Sequence, residues 1–224
     1  MGCILKGGGG LYSRVVVGAV LLAAGAGERI GRRPKSLLEL GGVPLIRRML
    51  IALSGAGVDE VVVVLGHHAD QIGPAVENFP VTVVRNLDPD EGQVSSQRQG
   101  LTALTGKLDA VIVALADQPL INAQDITALI GAWKKRRDGA EVVYPEVAGE
   151  RGNPVIFSTA VREQILAGEA RVGCRQWQAA NAEQVQPFIT DNRRYRVDID
   201  TPQDIEAFER STGHRLRWPL TAAP

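Results

Sequence analysis

Cysteine is nearly absent from this chain of 224 residues, which has only Cys3 and Cys174. Two thiols so far apart make neither a disulfide framework nor a metal cluster, and they fit a reducing, cytoplasmic setting. Histidine is almost as scarce: His67, His68 and His214 are too few soft ligands for a zinc site. No apolar run approaches the length of a membrane span. No charge of one sign prevails either, since 25 Lys and Arg balance 25 Asp and Glu. Without a basic stripe the chain does not read as a nucleic-acid binder, so the basic side chains near its start are aimed at a small anion. The opening "MGCILKGGGGLYSR" lacks the apolar core of a signal peptide. Lys6 stands where a myristoylation signal needs Ser or Thr. Residues 1–14 are expected to be a flexible leader outside the fold.

What is present suits one domain. Hydrophobic residues make up 45% of the chain, enough for a sizeable core, and no internal repeat or linker interrupts it. The expected domain runs from 15 to 212, with a loose tail over 213–224. The runs 15–23, 60–66, 81–84 and 109–116 lack polar alternation, as strands buried on both faces do. Between them 44–54, 69–78 and 94–105 read as helices. Asn122 is placed to cap a helix reaching about residue 136, with Asp125 in its first turn. Strands are expected within 141–147 and 153–157, and helices over 159–167, 173–181 and 202–210. This alternation predicts a three-layer α/β domain with a mostly parallel sheet. Ligands of such sheets sit beyond the carboxyl ends of the strands.

The first strand empties into "LLAAGAGERIGRRPKSLLEL" (21–40), a glycine-rich loop followed by basic residues. A dinucleotide fingerprint would need a G-x-G-x-x-G spacing and an acid ending the second strand. Gly25, Gly27 and Gly31 are spaced one residue too wide, and that strand ends in "LGHH". A Walker loop would need a glycine directly before Lys35-Ser36, where Pro34 stands. What remains is L-A-A-G-x-G-x-R-x-G-x-x-x-K, spelled by Leu22, Ala23, Ala24, Gly25, Gly27, Arg29, Gly31 and Lys35. Small residues let backbone N–H groups converge on phosphate oxygens. Arg29 can fork onto phosphate while Lys35 adds a point charge. This pattern resembles the signature of nucleotidyltransferases that activate a phosphorylated or pterin substrate with an NTP.

A bound NTP requires magnesium, and magnesium requires hard oxygen ligands. Asp117 follows the fourth strand directly in "ADQP". In "VDIDTPQD" the run Thr201-Pro202-Gln203-Asp204 makes a capping box with proline at the first helical position. Asp204 therefore has a structural task, and Asp200 is spare. Both segments resemble the same family, and the resemblance implies that Asp117 and Asp200 hold Mg2+, with Asp198 beside them. It also implies catalysis by positioning and charge, with Arg29, Lys35 and Asp117 as the catalytic set.

Two further stretches are similar to the molybdenum cofactor cytidylyltransferases (MocA-like) within the MobA-like NTP transferase superfamily. "RNLDPDEGQVSSQRQGL" (85–101) carries Asn86, Gly92, Ser96 and Gly100, implied to meet base and ribose. "RGNPVIF" (151–157) implies acceptor contacts at Asn153 and Pro154, although Asn153 stands where many members have His. Ala24, in L-A-A-G rather than L-A-G-G, points to CTP. The resemblance thus implies a Rossmann-like (GT-A-like) nucleotidyltransferase fold. Its implied reaction joins CTP to molybdopterin, giving molybdopterin cytosine dinucleotide and pyrophosphate. A monomer is expected, with a molybdoenzyme or its chaperone as recipient of the product. The rivals are a sugar- or polyol-phosphate nucleotidyltransferase, a glycosyltransferase and a catalytically silent nucleotide-binding module. His67 and His68 receive no catalytic role.

Overall fold

The computed structural model describes residues 14–219; the leader up to residue 13 and the tail from 220 lie outside the described residues. Eleven strands and seven helices follow in chain order. β1 (Val17–Ala23) leads into the glycine-rich loop, which ends in a short hairpin of β2 (Glu39–Leu40) and β3 (Val43–Pro44). Then come α1 (Leu45–Gly55), β4 (Glu60–Leu65), α2 (Ala69–Val76), β5 (Thr82–Arg85), α3 (Gln93–Ala103), β6 (Ala110–Leu115) and α4 (Ala123–Lys134). The second half adds β7 (Val142–Val147), β8 (Glu150–Arg151), β9 (Val155–Ser158), α5 (Thr159–Ala167), α6 (Cys174–Ala180), β10 (Val185–Ile189), α7 (Pro202–Thr212) and β11 (Leu216–Arg217).

The main sheet has the order β10-β7-β9-β6-β1-β4-β5, with β8 hanging from β7. Its centre is parallel: β1 pairs with β4 on one side and β6 on the other. β9 runs antiparallel between β6 and β7, so the second half completes the same sheet with one reversed strand. Every residue of β1 is buried, because both sheet faces are covered. Ala19, Leu21 and Ala23 pack with Met49, Ile72 and Leu129 of α1, α2 and α4. Val20 and Leu22 face the other way, toward Leu101, Ile165 and Trp177 of α3, α5 and α6. These are the three expected layers, and the apolar, unalternating strands are their cause. No described helix is long and apolar enough to cross a membrane.

A third, smaller core lies at the carboxyl edge. Ile30 of the glycine-rich loop packs there with Leu38, Leu40, Ile199, Phe208 and Leu216. From the sequence, residues 213–224 are expected to be a loose tail, whereas Leu216 and Arg217 pair antiparallel with Leu40 and Glu39. The Arg33 guanidinium sits 3.7 Å from the Trp218 ring centroid. Burial of Leu216 against this core draws the segment in, at about 1.5–3 kcal/mol for a side chain of that size.

Candidate active site

The loop after β1 owes its shape to Gly27, at φ 66. A Cβ there would lie 2.2 Å from the Arg33 carbonyl oxygen, so no other residue fits without rearrangement. The Gly27 carbonyl accepts from the N–H groups of Ile30 and Arg32 at 3.0 and 2.8 Å. Ile30 anchors this turn in the third core while Arg29 is thrown outward. Lys35 opens the following short 3-10 turn and points back into the cleft.

The acids arrive from two distant stretches. β6 ends at Leu115, and the N–H of Ala116 donates to Leu22 O at 3.1 Å, which places Asp117 next to the loop. The N–H of Ile199 donates to the Asp117 carbonyl at 3.1 Å. With Ile199 wholly buried, the residues on either side of it, Asp198 and Asp200, both line the cleft. Thr201 caps α7 in a capping box with Asp204, whose carboxylate also accepts from the Asp200 N–H at 2.9 Å. Asp204 thus holds the segment, and the Asp200 carboxylate stays free for the cleft.

Lys35 is the point of convergence. Its Nζ donates to Asp117 Oδ2 at 2.6 Å and to Asp200 Oδ1 at 2.5 Å, so no more than two hydrogen-bond lengths separate these oxygens. Arg29 donates to the other Asp200 oxygen at 2.7 Å. Burial works against the Lys35 ammonium, but the charge and hydrogen bonds of Asp117 and Asp200 outweigh it and raise its pKa. Burial likewise disfavours the Asp200 carboxylate, yet Lys35 and Arg29 hold it below the ordinary aspartate value. Asp198 has the opposite balance. Burial, then the charges of Asp117 and Asp200, push it up.

These groups line one cleft of about 710 Å3 at the carboxyl ends of the strands. Leu22, Ala23, Ala24, Gly25 and Gly27 line it, together with Gly92, Ser96 and Asn153. Two buried side-chain oxygens in it, Asp117 Oδ1 and Ser36 Oγ, have no hydrogen-bond partner. Among the described residues no three His, Cys, Asp or Glu side chains form a set able to hold a metal unaided. An unpartnered Asp117 oxygen with Asp200 alongside fits magnesium's usual arrangement, in which one or two carboxylates are completed by substrate phosphates.

Four expected residues do not line the cleft. Gly31 ends the short turn of the loop in a left-handed conformation. Asn86 is buried inside the protein, donating to Ser95 and Ser96 at 3.2 and 3.0 Å and accepting from Gln99 at 2.8 Å. It shapes the turn into α3, and its side-chain amide is engaged within the protein. Gly100 is where α3 touches the sheet: a Cβ would lie 2.4 Å from Val20 Cγ1 and 2.8 Å from Val64 Cγ2. Pro154 is buried behind Asn153.

Conversely, Ser36, His67, Asp90, Gln93 and Arg175 line the cleft unforeseen. His67 Nε2 is 3.3 Å from Asp90 Oδ1, and His68 Nε2 is 3.0 Å from Ala26 O, bracing the loop. The carboxyl-edge rule applied to β4 would have found His67. Arg175 gives no such signal, because it follows no strand.

Residues 19–185 match the family model described as the MobA-like NTP transferase domain. The chain is similar to nicotine blue oxidoreductase of Paenarthrobacter nicotinovorans, 33% identical over 169 residues, which cover 71% of this chain and 82% of that protein. It is also similar to the bifunctional protein GlmU of Corynebacterium aurimucosum, at 35% identity over 92% of this chain. Only 46% of that relative is matched, so the chain spans less than half of its length. Among solved structures, a nucleotidyl transferase from Methanothermobacter thermautotroptrophicus aligns with a TM-score of 0.71 at 26% identity, over 88% of this chain and 97% of that one. With this fold and this cleft, the chain belongs to the MobA-like NTP transferase domain family and is a nucleotidyltransferase.

Proposed function

We propose that the protein transfers a cytidylyl group from CTP to the phosphate of a molybdopterin-type acceptor, yielding molybdopterin cytosine dinucleotide and pyrophosphate. The observation that carries this reading is the meeting of Asp117 and Asp200 at the Lys35 ammonium, beside a glycine-rich loop. Two acids and two cations at one point suit a polyphosphate ester with its counter-ion. The oxidoreductase name of one relative calls for redox chemistry, which this charge pattern does not favour.

Asp117 and Asp200 would hold Mg2+, which when bound screens the charge of both anionic reactants. The loop N–H groups receive the triphosphate. Lys35 exchanges its carboxylate partners for phosphate oxygens, and Arg29, already exposed, reaches the β- and γ-phosphates. An oxygen of the acceptor phosphate forms a bond to the α-phosphorus while the α–β bridging bond breaks. The electron pair leaves with pyrophosphate, whose growing charge Lys35 and Arg29 stabilise. That acceptor oxygen is already ionised at neutral pH, so no general base takes part. Ala24 on the cleft lining favours a pyrimidine, because a methyl in this loop leaves less room for the base.

Incubation with magnesium, each NTP in turn and either molybdopterin or a sugar or polyol phosphate as acceptor, with pyrophosphate measured, tests the reading. Release with molybdopterin and CTP, and with no other NTP, is expected. Release only with a sugar or polyol phosphate would replace the acceptor, and release with none of these acceptors would overturn the proposal.

A further inference from the structure

Between Gly27 and Lys35 the glycine-rich loop makes a turn that one of its residues resists. Arg32 stands there at φ 54, a left-handed backbone that a residue with a Cβ seldom adopts. Such a conformation persists only where the surrounding structure over-determines it. Two holds act from within the loop. The Arg32 N–H donates to Gly27 O at 2.8 Å, and the Arg33 carbonyl fills the space that a Cβ on Gly27 would need.

A third hold comes from outside. The Arg33 side chain is exposed, and among the described residues it forms no ion pair. Its guanidinium lies instead over the Trp218 ring, 3.7 Å from the centroid, where the ring's electrons attract a cation. Trp218 is itself fixed. It is half-buried, packs against the third core and follows directly on β11, which is paired to β2.

What this contact fixes is a spacing. Arg29 and Lys35 flank the strained turn, and only Pro34 separates Arg33 from Lys35. The ring of Pro34 holds its φ at −71, so the position of Arg33 passes to Lys35 with little slack. Without nucleotide, Arg29 and Lys35 both rest on Asp200. To receive a triphosphate they have to leave it and still keep their separation, which a turn free to relax at Arg32 would not maintain.

We propose that Trp218 is a positioning residue for the nucleotide: by holding Arg33 it locks the strained turn at Arg32 and keeps Arg29 and Lys35 in register for the triphosphate. This assignment rests on the reading of Arg29 and Lys35 as the cations that receive that triphosphate.

The test titrates CTP with magnesium calorimetrically into wild type, Arg33→Met, Trp218→Leu, Trp218→Phe and the double variant Arg33→Met/Trp218→Leu. Arg33 is exposed, so Arg33→Met keeps the fold; it should bind CTP about three- to five-fold more weakly, as loss of an exposed cation–π pair implies. Trp218→Leu should match it, and Trp218→Phe, which keeps an aromatic face, should recover part of the affinity. Should Trp218→Leu not fold, Trp218→Phe takes its place in the series, alone and with Arg33→Met. The double variant should bind no more weakly than Arg33→Met, since both changes break one contact. A further loss in the double variant would mean that Arg33 meets the phosphates itself, and would overturn the assignment. Wild-type affinity in Arg33→Met would overturn it too, even with a lowered melting temperature, because the contact would then serve stability alone. If wild type binds no CTP, the series is repeated with ATP, GTP and UTP. Binding of another triphosphate with the same losses removes CTP and upholds the role of Trp218, whereas equal affinities refute that role. Binding of none of the four by wild type would remove both readings.

Discussion

The backbone N–H of Ile199 donates to the carbonyl of Asp117 at 3.1 Å. One main-chain bond thereby joins the end of the central strand β6 to the segment before α7. It sets Asp117 and Asp200 close enough for a single ammonium, that of Lys35, to bridge both.

Lys35→Met removes that bridge. Asp117 and Asp200 are then opposed only by Arg29, and the ligand-free protein should lose about 1–3 kcal/mol, since all three groups are partly in contact with water. Nucleotidyl transfer should fall by about two to three orders of magnitude. Millimolar Mg2+ should raise the melting temperature of the variant more than that of wild type, because no lysine competes for the acids. An equal response in the two melting curves would refute this placement of Lys35.

Asp117→Asn keeps the shape of the side chain and removes its charge. Turnover should drop by about two to three orders while the circular dichroism spectrum stays native. CTP affinity should weaken in the presence of magnesium and hold in its absence. Unimpaired pyrophosphate release by a folded variant would remove Asp117 from the reaction.

Gly100→Ala separates packing from nucleotide binding. A methyl there meets Val20 and Val64, an overpacking that costs about 1–3 kcal/mol. Denaturant unfolding should record that loss, and kcat and KM per folded molecule should match wild type. A selective rise in KM for nucleotide without loss of stability would return Gly100 to the binding site.

Glu60 gives a pH-dependent contribution to stability. It accepts from Thr105 N at 2.9 Å, Thr105 Oγ1 at 3.1 Å and Gly106 N at 2.9 Å. Burial alone would raise its pKa, but these bonds and the charge of Arg162 outweigh burial and hold it below 4.5. The unfolded chain therefore takes up the proton first as pH falls. The stabilisation is complete at neutral pH and is lost below the ordinary value of 4.5. Glu60→Gln should cost about 1 kcal/mol at neutral pH, with the gap to wild type closing in acid. Urea midpoints that differ by the same amount at both pH values would contradict this account.

Legibility in the sequence followed the range of the forces involved. The parallel centre was readable because strands covered on both faces leave continuous apolar runs. The caps Asn122 with Asp125 and Thr201 with Asp204 were readable because each is complete within four residues. Asn86 and Gly100 occupy motif positions that reveal presence and not direction, and both turn inward. Arg175 and β11 left no local trace. The first depends on how α6 meets the sheet edge, and the second on a pairing between Leu216 and Leu40 that no short window contains.

The third core has a temporal consequence. Ile30 finds its packing partners Ile199, Phe208 and Leu216 only among residues translated long after it. Contacts so far apart in sequence form late in folding. A nascent chain halted shortly after α6 could assemble most of the central sheet while its phosphate loop remained unbraced, so competence to bind the triphosphate should emerge abruptly, once α7 and β11 have left the ribosome.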